Sequence, residues 1–213
     1  MTVKTINGIA IASIKTVQGT AKASLKTWGG EALGNTYATW NPSDKNASLT
    51  LSNGNLTAQG DATWRSGRAT ISKSSGKWYW EVRFDTSVTH YVMVGIGLSS
   101  ASIADGAYPG KDVNGHGYLD LDGNKYNNDV STAYGALYVQ GDIVGVALDM
   151  DGGTLIMYKN NVSQGTLTSG LSGSFFPMIG VGAQGTGAII TANFGATALT
   201  YTPPAGYNAG VYT

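Results

Sequence analysis

Cysteine is absent from this chain, which excludes a disulfide framework and any thiolate metal site. Charge is scarce as well. Only 12% of the residues are charged, about half the roughly 25% usual for soluble domains, and the 13 basic and 13 acidic side chains cancel. The basic residues form no run, so the electrostatic footprint of a nucleic-acid binder is missing. His90 and His116 are the only imidazoles available for proton transfer or metal binding, and there is no Gly-x-Ser-x-Gly elbow. No apolar run reaches the length of a membrane span. The first residues hold only the broken apolar stretch IAIASI, which is no signal-peptide core. The expectation is synthesis in a cytoplasm.

What is present is glycine, 31 residues of it, with 42% hydrophobic residues spread along the chain and polarity supplied by Ser, Thr, Asn and Gln. Such a composition predicts many short strands joined by turns, with enough apolar surface to offset the entropy of ordering. It is the composition of an extracellular β-protein. A virion protein, made in a bacterial host and released by lysis, reconciles the two expectations.

Residues 3–32 repeat with a period of eleven. Val3, Ile14 and Leu25 each open an apolar-Lys-Thr phrase that runs into Asn7-Gly8, Gln18-Gly19 or Gly29-Gly30. These pairs have the chemistry of two-residue hairpin turns, which need positive φ. Nine-residue strands are expected between them. Alternate residues of a strand share a face. Ala10, Ala12, Ile14 and Thr16 then line one face, with Ala21, Ala23, Leu25 and Thr27 as the equivalent set, while Ser13, Lys15, Lys22, Ser24 and Lys26 face away and Ile11, Val17 and Trp28 intrude. Two or three strands are not stable alone in water. The meander therefore packs on its own domain, or docks on a partner or on copies of itself; assembly through Ala10, Ala12, Ile14, Ala21, Ala23, Leu25 and Trp28 is the sharper expectation. The stretch resembles short repeats at the N-termini of some phage structural proteins. A domain boundary is expected after residue 36, with 37–213 a separate unit.

From Tyr37 the pattern is of short strands separated by Gly, Asn, Asp and Ser, without helical periodicity. In GKWYWEVRF, Trp78, Trp80, Val82 and Phe84 fall on one face and Tyr79, Glu81 and Arg83 on the other. HYVMVGIGL is an apolar run of sandwich-core type, and DIVGVALDMDGGTLIMYKNN reads as two strands about Asp151-Gly152-Gly153. The expected fold is all-β, a two-sheet antiparallel sandwich preceded by the small meander.

WNPSD (40–44), GKWYWEV (76–82), VGIGL (94–98), GDIVGVALDMDGGTLIMYKNN (141–161), FFP (175–177) and NFG (193–195), followed by YTPPAGY, resemble the SPRY (B30.2/SPRY) domain in order and spacing. NGHGYLDLDGNKYNN is similar to that family's Gly-aromatic stretch, whereas residues 60–67 depart from the ligand loop of its peptide-binding members. The resemblance implies a bent β-sandwich, without enzymatic activity, that binds protein or glycan partners through loops at one end. It places ligand loops near Arg65, His90, Tyr108 and Gln184.

Several motifs are less than they look. Gly180-Val-Gly182-Ala-Gln-Gly185 fits GxGxxG, but a strand-like segment follows where a dinucleotide site needs a helix. Asp120-Leu-Asp122-Gly-Asn124 begins like a calcium loop, but Lys125 and Ser131 stand where Gly and a bidentate Glu belong, so a hairpin is expected. Asp149 and Asp151 sit on a turn, and Glu81 reads as a hydrogen-bonded structural carboxylate. No cofactor and no metal are expected. Between Ser99 and Ala133, Tyr108, His116, Tyr118 and Tyr126 mix with Asp112, Asn114, Asn127 and Asn128. Rigid amphipathic rings beside amides are recognition chemistry. Arg65, His90, Tyr108, Asp112, His116, Tyr126, Asn128 and Gln184 are the candidate ligand contacts. The expected partners are other virion proteins, further copies of the chain, or a host-surface protein or glycan, with no nucleic acid or membrane. The alternative is a free-standing bacterial lectin or adaptor.

Overall fold

The computed structural model describes residues 35–86, 91–182 and 187–213, together with the backbone of six two-residue segments nearer the N-terminus. The chain divides into two compact units, Met1–Thr36 and Tyr37–Thr213.

In the first unit a short antiparallel pair flanks each Gly-ended pair. β1 (Thr5–Ile6) pairs with β2 (Ile9–Ala10), β3 (Thr16–Val17) with β4 (Thr20–Ala21), and β5 (Thr27–Trp28) with β6 (Glu31–Ala32). The register repeats with the sequence: Thr5 faces Ala10, Thr16 faces Ala21 and Thr27 faces Ala32. Most of each expected nine-residue strand, residues 11–15 and 22–26, lies outside the described residues. Among the described residues pairing is confined to two residues on each side of a turn, in three separate two-stranded sheets. A two-residue loop fixes the register of its flanking pair, whereas longer pairing depends on a packed face. Ala10, Ala21 and Trp28 belong to these hairpins; Ala12, Ile14, Ala23 and Leu25 lie outside the described residues.

The second unit is a two-sheet antiparallel sandwich with no helix among the described residues. One sheet is built from β7 (Trp40–Lys45), β10 (Arg65–Ala69), β12 (Val92–Gly97), β13 (Gly115–Leu119), β14 (Asn124–Asn127), β15 (Val130–Ala133) and β19 (Phe176–Val181). Its order is β15-β14-β13-β12-β19-β10-β7. The other comprises β8 (Thr50–Ser52), β9 (Thr57–Gln59), β11 (Lys77–Thr86), β16 (Ile143–Asp149), β17 (Thr154–Lys159), β18 (Val162–Ser169) and β20 (Ile189–Asn193) in the order β18-β17-β16-β11-β20-β9-β8. A short β21 (Asn208–Ala209) runs parallel to β11.

Trp80, Val82 and Phe84 of β11 enter the core between the sheets, as the alternation predicts, and meet residues such as Ile96, Tyr138 and Ile179. Trp78 packs against the edge of this core, half-buried at the start of the strand beneath the Lys73 ammonium, 3.5 Å from its ring. The opposite face is exposed at Arg83 but buried at Tyr79 and Glu81. Tyr79 is buried across β16, where Gly145 leaves it room; a Cβ at 145 would lie 2.3 Å from the Tyr79 hydroxyl. Glu81 is buried and accepts the amides of Thr200 and Tyr201, each at 2.8 Å, so the carboxylate fastens the C-terminal segment to the sheet.

The expected turns form where the residue chemistry places them. Asp149 accepts the amides of Asp151 and Gly152 across the β16–β17 turn and pairs with Lys77 at 2.8 Å. Residues 120–123 join β13 to β14 as a hairpin, with Gly123 at φ +68°. Gly180 lies within β19 rather than in a strand-to-helix turn. The stretch from Ser99 to Ala133 is not one long loop: β13, β14 and β15 occupy its second half, and Tyr118, read as a recognition residue, is wholly buried against Tyr134 and Tyr138.

Candidate functional site

β10 and β12 flank β19 and run antiparallel to it, with Arg65 and Val92 both opposite Val181. The starts of β10 and β12 and the end of β19 therefore meet at one end of the sandwich. Trp64, Arg65, Tyr91 and Gly182 stand there, and the Gly182 amide donates to the Tyr91 carbonyl at 2.8 Å.

Residues 98–114 cross the outside of this sheet, and glycine lets them lie close. A Cβ at Gly180 would come within 2.9 Å of the Tyr108 Cβ and 3.0 Å of the Pro109 Cδ; one at Gly117 would come within 2.2 Å of the Pro109 carbonyl oxygen. The crossing carries Tyr108 to the same end. Its ring is 5.1 Å from Trp64 and 5.9 Å from Tyr126, while Trp64 meets Tyr91 edge-on at 5.7 Å. All four rings are half-buried, their remaining surface open to solvent. The Tyr108 hydroxyl donates to Asp129, which also pairs with Lys111 at 2.7 Å. Burial and that carboxylate push the Tyr108 phenol well up, while Lys111 and the phenol hold Asp129 below the usual carboxylate range.

Arg65 is fixed as firmly. Its Nε donates to Asp61 at 2.9 Å and its Nη1 to Asp105 at 2.5 Å, and Asn46 donates to the same Asp105 oxygen at 2.9 Å. Its side chain is only 12% exposed, against 80% for Asp105, so the rim shows solvent more carboxylate than guanidinium. The hydrogen bond from Arg65 holds the Asp61 carboxyl below its ordinary value.

The ligand residues read from the sequence thus fall into four groups. Arg65 and Tyr108 stand together at the rim. His90 and Gln184 lie outside the described residues; their neighbours Tyr91 and Gly182 are at this end. Asp112 braces the crossing loop, accepting the Ser102 and Asn114 amides at 2.8 Å. His116 and Asn128 line a separate groove of about 430 Å³, and Tyr126 borders both. There the inward faces of β13, β14 and β15 spread from β18, and His116, Lys125, Asn127, Thr132, Leu167 and Thr168 line the space. Burial, with the nearby Lys125 charge, pushes the His116 imidazole below its ordinary 6.5.

Trp64 and Tyr91 were not among the residues singled out from the sequence, although Trp64 is the hub of the rim. A lone Trp between Gly60 and Gly67 was its only local signal. Its contact with Tyr108 exists because two strand ends and a crossing loop converge.

The fold and this rim define a class: a two-sheet β-sandwich that presents aromatic and charged side chains at one end, from segments far apart in sequence. A profile of the SPRY domain matches residues 77–197, and the chain belongs to the SPRY family. Ran-binding protein 9 of Xenopus tropicalis is 30% identical over 173 residues, 76% of this chain and 31% of that protein. The Drosophila melanogaster Ran-binding proteins 9/10 homolog is 32% identical over 165 residues, 73% of this chain and 17% of that protein. The chain thus spans less than a third of the length of these relatives. Among solved structures, the SPRY domain of human HERC1 superposes with a TM-score of 0.60 at 17% identity, over 72% of this chain and 96% of that one. Stonustoxin superposes with a TM-score of 0.61 at 20% identity, over 74% of this chain and 27% of that one.

Proposed function

We propose that this chain is a non-enzymatic recognition protein whose SPRY domain holds a protein partner at the Trp64–Tyr91–Tyr108 rim. The observation that carries this reading is the ring cluster itself. Rings gathered at a strand end, packed on one another with Tyr108 held by Asp129, and left partly exposed, offer rigid area at low entropy cost, the usual make-up of an interface anchor. The names of the relatives, which bind Ran, favour a protein as the ligand class. The Met1–Thr36 hairpins attach the chain to a larger assembly. The setting we propose is a bacteriophage virion, on the strength of the eleven-residue repeat and its likeness to N-terminal repeats of phage structural proteins.

The test is a photo-reactive residue at position 105, on the rim, compared with one at position 74, beside the Lys73–Phe175 bridge at the opposite end of β19. Irradiation in the producing host is expected to give a discrete protein adduct from 105 and none from 74. Adducts from neither position, or equally from both, overturn the rim as the recognition surface.

A further inference from the structure

β15 ends its sheet, and all four of its residues, Val130-Ser131-Thr132-Ala133, are exposed, Val130 at 62%. Natural edge strands are usually blunted by charge, proline or a bulge. The other edge of the same sheet follows that rule, since β7 carries Pro42, Asp44 and Lys45. β15 has none of these devices.

The pairing tells which backbone groups are free. Asn128 and Asp129 both have positive φ, 53° and 60°, and form a two-residue loop between Asn127 and Val130. In such a hairpin the flanking pair exchanges hydrogen bonds and the next pair does not, alternating outward. Val130 and Thr132 therefore spend their N–H and C=O groups on β14. Those of Ser131 and Ala133 point away from the sheet.

Beside this edge lies the groove. Thr132 is opposite Lys125, and both face into it. Lys125 donates one hydrogen bond, at 2.9 Å, to the Leu167 carbonyl on β18, and an ammonium has three donors. No carboxylate lines the groove among the described residues.

We propose that the free edge of β15 and the groove beside it form a second docking site, which takes an extended segment of a partner protein as an added strand with an acidic side chain directed at Lys125. Main-chain hydrogen bonds to Ser131 and Ala133 supply the pairing, and alternate side chains of the added strand enter the groove. A second copy of this chain pairing edge to edge would bring only Thr132 and Val130 toward Lys125, leaving its charge without a counterpart. Charge complementarity therefore selects an acidic segment.

The probe is a fluorescein-labelled heptapeptide of alternating valine and threonine with a central glutamate, compared with the same peptide carrying a central lysine. Fluorescence anisotropy with the full chain should show the glutamate peptide binding at least about tenfold more tightly. Ala133→Pro, which removes an outward N–H, should abolish binding, with Ser131→Pro, which also removes the hydroxyl hydrogen-bonded to Tyr126, as a second variant should the first fail to fold. Hydrogen exchange should show the Ser131 and Ala133 amides unprotected in the free chain and protected with peptide. Trp64→Ala, on the rim and away from the β14–β15 turn, should leave all this unchanged, which separates the site from the rim. Equal binding of the two peptides, or unaltered binding by the proline variants, overturns the proposal. So does concentration-dependent self-association that the proline variants abolish while the glutamate peptide fails to bind, since the edge then serves a second copy.

Discussion

The indole of Trp64 and the ring of Tyr108 lie 5.1 Å apart at a tilt of 51°, although 44 positions separate them in the chain. The contact joins the start of β10 to the loop that crosses the outer face of its sheet. Rings placed this way are expected to work in binding more than in folding. Tyr108→Ala should weaken partner binding by about tenfold or more, as truncation of an anchor costs about 2 kcal/mol, and leave a cooperative melt. Trp80→Ala should do the reverse, emptying a core site and destabilising by about 3–5 kcal/mol. Paired melts and binding titrations of the two variants check the assignment; folded Trp80→Ala protein that has lost binding, beside normal binding by Tyr108→Ala, refutes it.

Gly145 is where β16 makes room for Tyr79. A Cβ there meets the hydroxyl at 2.3 Å and ring carbons at 2.8 and 2.9 Å, and the buried ring has nowhere to turn. Gly145→Ala should cost about 1–3 kcal/mol in urea unfolding, the usual penalty of overpacking. Tyr79→Phe in the same chain should recover part of it by removing the nearest atom. Additive losses in the double variant would show that the clash is elsewhere.

Glu81 holds residues 200 and 201 through two backbone amides. Glu81→Leu should destabilise by about 1–3 kcal/mol, since it strands buried donors. The loss should be local in hydrogen exchange, concentrated at Thr200 and Tyr201. Unchanged protection at those amides would remove the carboxylate from its fastening role.

His116 gives the pH dependence a definite sign. Burial and Lys125 depress its folded pKa below 6.5, so the unfolded chain takes up the proton first. Stability from this group is full above about pH 6.5 and is lost as the pH falls toward the folded value. Asp61 and Asp129, also depressed, add a second loss below their ordinary 3.8. The melting temperature should therefore fall between pH 7.5 and 5, and His116→Gln should flatten that segment while leaving the drop below 3.8. A slope unchanged by His116→Gln assigns it to another group.

Removal of residues 1–36 should leave the melt of the sandwich nearly unchanged, because Met1–Thr36 and Tyr37–Thr213 are separate compact units. In the proposed virion setting, incorporation into particles should be lost. Failure of the shortened chain to fold would make the hairpins part of the sandwich.

Local chemistry was legible in the sequence. Asn7-Gly8 and its repeats named the N-terminal hairpins, Asp149 through Gly153 named the β16–β17 turn, and the alternation from Trp80 to Phe84 named a core face. Each rests on neighbours within a few positions, where dihedral preference and strand period suffice. Glu81 was legible as a hydrogen-bonded structural carboxylate, but its partners Thr200 and Tyr201 and the burial of Tyr79 were not, because the segment that supplies them is remote in the chain. The same is true of Tyr118, which reads as a recognition residue until Tyr134 and Tyr138 close over it.

The sequence by itself determined the all-β class, the turn positions and the likeness to SPRY domains, since composition, period and turn residues act locally. Only the tertiary structure decided that Trp64 is the hub of the rim, that Arg65 is committed to Asp61 and Asp105, and that His116 faces a groove apart from Tyr108. Those facts depend on which strands lie side by side and in what register. Adjacency between segments tens of residues apart is set by the packing of the whole sandwich, which no short stretch of the chain encodes.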